Sequence, residues 1–338
     1  MNWLHKFSVV VSSHRGISLG ALASALLLAQ PQPANTQVYP SRPITIVAPF
    51  AAGGPTDVLA RIVAERMRSA LGQPVIVENV TGAAGTIGIA RVVKAPADGY
   101  TLSIGPWNSH VLTGAIYRLN FDLLKDLEPI AQLATNDTLI VSKNDLPAKD
   151  LKELIVWVKA NQNKVSAGTS GIGSGTHLAG VMFEKATDTH IQFVPYRGAG
   201  PALQAVVANQ IELIFDQASN SLPQVRGGTV RAYAVAGKKR LASAPDIPTA
   251  EEAGLPNFHI SVWHGLWAPK GTPADIVATL SRAVTETLAD PVIRQRLAEL
   301  GQDIPPPEQQ TPGALAAFHK AEIDKWWPVI KAADIKID

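Results

Sequence analysis

A two-lobed α/β protein, each lobe a mainly parallel sheet flanked by helices with a ligand cleft between them, is the architecture the sequence predicts. Three observations carry it. Short β-branched runs alternate with amphipathic helical stretches along the chain, the pattern of parallel βαβ units. About 300 residues follow the leader segment, more than one hydrophobic core usually serves. Four of the strand-to-helix connections are rich in glycine and small hydroxyl residues.

The chain has 338 residues, 46% hydrophobic and 17% charged, without cysteine. Residues 1–37 carry Lys6 and Arg15, no acid, and the apolar run GISLGALASALLLA at 16–29. These features predict a cleaved secretory signal, because the run is shorter than the roughly 20 residues that span a bilayer. The expected destination is the periplasm, with neither disulfides nor a lipidated cysteine as tether. Removing the leader's +2 from the whole-chain +2 leaves a nearly neutral protein. That argues against nucleic acid or anionic lipid as partner.

The first lobe opens with PITIVAP at 43–49, the helical stretch at 56–72, PVIVEN at 74–79, a helix near 86–94 and YTLSIG at 100–105. TLIVSK at 138–143 reads as the strand that crosses between lobes. A helix at 151–162, KVSAG at 164–168, IQFVP at 191–195, IELIFD at 211–216 and VRAYAVA at 230–236 form the second lobe. The return comes after that strand, so lobe one takes 38–138 and 237–338 and lobe two 139–236. Thr272-Pro273, Asp290-Pro291 and Thr311-Pro312 mark starts of C-terminal helices. Trp326 and Trp327, at helical spacing with Ile323 and Ile330, read as packed across the back of a lobe.

The chemistry lies in the loops PFAAGGPTD at 49–57, VTGAAGTIG at 80–88, AGTSGIGSGTH at 167–177 and PYRGAGPA at 195–202. Glycine lets backbone N–H groups approach a ligand, and each loop opens a helix whose unpaired N–H groups and positive dipole end favour an anion. Such turns sit at the carboxyl ends of parallel strands, where ligands bind. No lysine occurs in them. Two loops from each lobe can enclose a small carboxylate from both sides.

The strings YPSRPITIVAPFAAGGPTDVLAR, ENVTGAAGTIGIA, ADGYTL, GIGSGTHLAG, VPYRGAGPALQAVV, RAYAVAGKKR, PDIPTAEEAGLP and WHGLWAPKGTP resemble, in order, the extracytoplasmic solute receptors of tripartite tricarboxylate transporters, often called Bug proteins. The resemblance implies a periplasmic binding protein fold of type II-like form. It also implies a di- or tricarboxylate, acidic amino acid or aromatic acid as ligand, lobe closure on binding, delivery to transporter subunits in the membrane, and no cofactor or metal. A monomer is expected.

Carried over position by position, the family's contacts fall on Phe50, Ala52, Gly53 and Asp57, on Gly85 and Thr86, on Ser170, Gly171, Ser174 and His177, and on Tyr196, Gly198, Ala199 and Asp216. Two departures stand out. Valine and threonine precede Gly82 where a proline is usual, and Trp107 occupies a place usually small. The indole is expected to flatten the pocket wall and favour a planar acid.

Other readings fare worse. Ser170 or Ser174 with His177 as base would make a serine hydrolase, but GxSxG is missing and no acid stands beside His177. GxGxxG, the phosphate-loop ending and metal-ligand clusters are likewise missing. A ligand-loaded partner of a membrane sensor would use the same binding chemistry.

Overall fold

The computed structural model describes residues 38–332 except residue 163. The expected leader at 1–37 lies outside the described residues. In chain order the elements are β1 (Ile44–Ala48), α1 (Pro55–Leu71), β2 (Val75–Asn79), α2 (Thr86–Val93), β3 (Thr101–Pro106), a π-turn (Asn108–Leu112) running into α3 (Thr113–Ile116), and β4 (Leu127–Lys143). They continue with α4 (Leu151–Ala160), β5 (Ser166–Thr169), α5 (Gly175–Thr187), β6 (Gln192–Pro195), α6 (Ala199–Val207), β7 (Leu213–Gln217), α7 (Ala218–Arg226) and β8 (Val230–Val235). The chain ends with β9 (Ser261–Pro269), α8 (Ala274–Ala289), α9 (Pro291–Glu299), β10 (Gln302–Asp303) and α10 (Pro312–Ala332).

The strands hydrogen-bond in the order β2-β1-β3-β9-β4-β7-β5-β6, with β8 and β10 also paired to β4. Each end is parallel, β2-β1-β3 in one lobe and β6-β5-β7 in the other. The middle is antiparallel, because β9 and β4 connect the lobes instead of closing a βαβ unit. β4 begins at Leu127, eleven residues before the extended run legible in the sequence. Pro129 and the polar stretch Asn136-Asp137 mask its first half, and irregularities in register near Pro129 and Gln132 accommodate the mismatch with β9.

Each lobe buries both faces of its sheet. In lobe one, Ile44, Ile46, Leu102, Ile104 and Leu133 pack under α1, α8 and α9, and Trp107, Trp263 and Trp267 fill the opposite face under α10. The tryptophans of α10 belong to that packing: the Trp327 Nε1–H donates to the Val111 carbonyl at 2.7 Å. The segment 237–260, which the sequence placed in lobe one, instead sends Ala250, Leu255, Phe258 and Ile260 into the lobe-two core with Phe183 and Phe215. Its backbone is pinned to β8, with the Val235 N–H donating to the Pro248 carbonyl and the Ile260 N–H to that of Ala236. The chain therefore rejoins the first sheet only at β9. Among the described residues no helix is long and apolar enough to cross a membrane.

Helix starts follow local chemistry. Asp290 caps α9, accepting from the Val292 N–H at 2.9 Å, and Thr311 caps α10 through the Ala314 N–H at 3.2 Å. Thr272 does not cap α8; its hydroxyl donates back to the Pro269 carbonyl.

Behind the lobe-one sheet, the His110 ring lies flat on Trp267, centroids 4.1 Å apart and 8° from parallel, over the facing pair Gly105 and Gly265. A Cβ at Gly105 would overlap the His110 imidazole, which Ser103 and Ser109 hold from either side. Gly105→Ala is accordingly expected to cost about 1–3 kcal/mol through overpacking. Urea unfolding followed by circular dichroism reads this, and an unchanged midpoint would refute the packing argument.

Candidate functional site

The carboxyl ends of the parallel strands of both lobes face each other, so the four glycine-rich loops meet across one cleft. Across the closed edge, the loop between β1 and α1 touches the loop between β6 and α6. The Ala51 N–H donates to the Arg197 carbonyl at 3.2 Å. A Cβ on Gly200 would lie 3.1 Å from the Gly54 nitrogen and one on Gly198 3.0 Å from the Ala51 nitrogen. Backbone meets backbone here, and side chains are sterically excluded. On the other edge the Tyr117 hydroxyl of lobe one donates to the Ile172 carbonyl of lobe two at 2.7 Å.

Between these contacts lies a cavity of about 20 Å³ lined by residues that include Phe50, Thr56, Asn108, Thr138, Thr176 and Gln217. That is room for roughly one water molecule, so an organic acid is admitted only when the lobes part. No charged side chain lines it. The first residues of α1, α5 and α6 do, through Thr56, Gly175 and Ala199, and these helix ends bring positive dipole to the wall. An outer mouth of about 560 Å³ leads to it past Gly85, Gly171, Tyr196 and Arg197.

The residues expected from the sequence divide by place. Phe50, Ser170 and Ala199 line the cavity, and Gly85, Gly171 and Tyr196 the mouth. Gly198 is pressed into the seam against Ala51. Ala52 and Gly53 stand exposed at the loop tip. Gly53 is required for its backbone, since φ is +80° with nothing near its Cβ position. Thr86 opens α2 and lines a separate surface hollow with Arg91 and Lys94.

Five residues brace the site from behind. Asp57 is buried and accepts from the Gly53 N–H at 2.9 Å, Asn79 Nδ2 at 2.9 Å and Arg61 Nε at 3.0 Å. Burial alone would raise its carboxyl, but Arg61, Gly53 and Asn79 outweigh that and hold it below the usual carboxylate range. Asn79 also donates to the Phe50 carbonyl, fastening the first loop to the end of β2. His177 Nδ1 accepts from the Gly173 N–H at 3.1 Å, and burial lowers its pKa. Ser174 caps α5 and shares hydrogen bonding with the Thr176 hydroxyl, which also accepts from the Ser170 N–H at 2.7 Å.

Two expectations are corrected outright. Trp107 is not in the pocket wall: its indole is 2% exposed and packs edge-on against Trp326 at 4.8 Å, because the turn after β3 directs it backward while Pro106 and Asn108 on either side line the cavity. Asp216 does not reach the cavity either. It is fully buried behind the β7–α7 turn, accepting from Ser221 Oγ at 2.6 Å, Asn220 Nδ2 at 2.7 Å and the Gln217 N–H at 2.9 Å.

The residues missed are largely chain neighbours of those chosen. Thr56, Asn108, Thr176 and Gln217 adjoin Asp57, Trp107, His177 and Asp216, and each lines the cavity. The strand-to-helix turn points consecutive side chains apart. Thr138 and Val262, on β4 and β9, carried no local signal because they enter through the crossing strands.

A model of the tripartite tricarboxylate transporter family receptor matches residues 59–335. A UPF0065 protein of Agrobacterium vitis is 40% identical over 328 residues, 96% of this chain and 94% of that protein. Among solved structures, the periplasmic binding protein BugD superposes with a TM-score of 0.85 at 38% identity, over 88% of this chain and 99% of that one. MatC of Rhodopseudomonas palustris, solved with bound malate, superposes with a TM-score of 0.83 at 39% identity, over 86% of this chain and all of that one.

Burial outweighs the three donors at Asp216 and raises its carboxyl to about 7. A carboxyl raised on folding contributes stability that is complete below its unfolded value and is lost as pH rises through the folded one. Wild type should therefore lose stability relative to Asp216→Asn by roughly 1 kcal/mol or more between about pH 4.5 and pH 7.5. Urea titrations at several pH values measure that difference, and a pH-independent one contradicts the assignment.

Proposed function

Because the chain belongs to the tripartite tricarboxylate transporter receptor family, we propose that it captures a small aliphatic di- or tricarboxylate in the periplasm and delivers it to membrane subunits of such a transporter. The observation that carries this reading is a closed cavity walled by neutral donors and helix starts, without a charged side chain among its lining residues. Such a wall suits an anion held by several charge-assisted hydrogen bonds, each contributing about 1.5–3 kcal/mol. Malate bound to MatC supports the ligand class. An aliphatic acid is favoured over an aromatic one because Trp107 is withdrawn into the core and only Phe50 and Phe215 contribute rings to the lining.

Capture proceeds by closure. The lobes turn about the crossing where β4 passes from pairing with β9 to pairing with β7, at Asp137-Thr138. Beside it Asn136 ties both lobes, donating to the Gly301 carbonyl at 2.6 Å and accepting from the Ser219 N–H at 3.0 Å. A ligand touching loops of both lobes favours the shut state by its differential affinity. Delivery follows when the transporter favours the open one.

Thermal-shift screening against a carboxylate series tests capture, since a ligand at 100 times its Kd stabilises by about 2.7 kcal/mol. No stabilisation by any di- or tricarboxylate sinks the reading. Closure is tested with Gly200→Ala, whose methyl would be wedged between the backbones of the seam. Calorimetry should give affinity weakened about tenfold or more with an unchanged melting temperature in the absence of ligand. Equal affinity in variant and wild type removes the seam from the mechanism.

A further inference from the structure

Behind the cavity wall a histidine faces one of the hydroxyls that line it. Thr56, 2% exposed, lies in the first turn of α1, and its Oγ1 is 3.1 Å from Nε2 of His264 on β9. His264 is fully buried, and its Nδ1 has no hydrogen-bond partner among the described residues. Burial drives the ring's pKa down to about 3, so it is neutral at physiological pH and carries one N–H.

The place of that proton follows from the surroundings. A proton on Nδ1 would bury an unpaired N–H donor, whereas a proton on Nε2 leaves only an unpaired lone pair, the lesser cost of the two. The Nε2–H then donates to the threonine oxygen. Once that oxygen accepts from His264, the hydroxyl hydrogen is released from it, and this bond to His264 is the hydroxyl's one recorded hydrogen bond. Before Thr56 lies the cavity.

We infer that His264 is a positioning residue that makes Thr56 a hydrogen-bond donor toward a ligand carboxylate oxygen. With the opposite tautomer Thr56 would spend its hydrogen on the histidine and present only lone pairs, which repel an anion and suit an ammonium or hydroxyl group. His264 thus selects for an acceptor at this point of the cavity without touching the ligand. The inference rests on the carboxylate-binding reading above.

The test combines calorimetry with malate as probe and nitrogen-15 NMR of the histidines in the ligand-free protein. Thr56→Val, which keeps shape and loses the hydroxyl, should weaken malate binding by roughly tenfold or more, whereas Thr56→Ser stays within about threefold. His264→Leu should weaken binding in the wild-type background and add nothing in the Thr56→Val background, because its effect passes through the hydroxyl. His264→Gln, whose amide also donates, should recover part of the loss and serves where the leucine variant folds poorly. The NMR spectrum should place the proton on Nε2 of His264.

Wild-type affinity in Thr56→Val, a full additional loss from His264→Leu on top of it, or a protonated Nδ1 overturns the inference. If wild type binds neither malate nor any other small carboxylate, the functional reading itself fails and takes the anion role of Thr56 with it. The tautomer is then decided by NMR alone, which needs no ligand.

Discussion

The architecture hangs on one strand. β4 pairs with β9 from Leu127 to Asp137 and with β7 and β8 from Thr138 to Lys143, so a single stretch of backbone belongs to the sheets of both lobes. Every loop that approaches the cleft is anchored, directly or through one neighbouring strand, to that ladder. A strand resists slipping, because a shift of one residue would turn its buried face outward, but it can twist. The crossing therefore holds the lobes in register while leaving them a rotation by which the cleft opens and shuts.

At the cleft the dominant constraint is close approach. The seam between Ala51–Gly54 and Arg197–Gly200 brings two backbones within van der Waals distance, which no residue with a side chain permits at Gly200 without displacement. Closure on so small a cavity concentrates the field of the helix ends on whatever is enclosed. It also explains why the charged residues stand back. A carboxylate or imidazole placed in such a wall would bear its desolvation unpaired whenever the cavity is without ligand. Asp57 and His177 instead spend their polar atoms on the loop backbone, giving the neutral hydroxyls and amides a rigid frame.

The lobe-one back layer extends that logic. His110 is boxed between Ser103, Ser109 and Trp267, and His319 bonds the His110 carbonyl. These buried rings are held neutral by desolvation and serve as packing with defined polar ends. His264 sits at the boundary between this layer and the cavity, where an imidazole in the core sets the orientation of a hydroxyl at the ligand surface.

Alternation of β-branched runs with amphipathic stretches was enough to determine the α/β class, the two parallel half-sheets and the glycine-rich loops at their carboxyl ends, because period and composition are local properties. Asp290 and Thr311 were likewise legible as caps, since a cap needs only its own turn. Tertiary structure decided the rest. The first half of β4 reads as broken by Pro129 and Asn136 until β9 pairs with it, and segment 237–260 joins lobe two because its apolar residues find that core. Which of two adjacent residues faces the cavity, Thr56 or Asp57, Asn108 or Trp107, Gln217 or Asp216, depends on what stands behind each turn, and those partners are brought there from distant parts of the chain. Sequence therefore located the loops to within one residue, while only packing could tell the wall from its support.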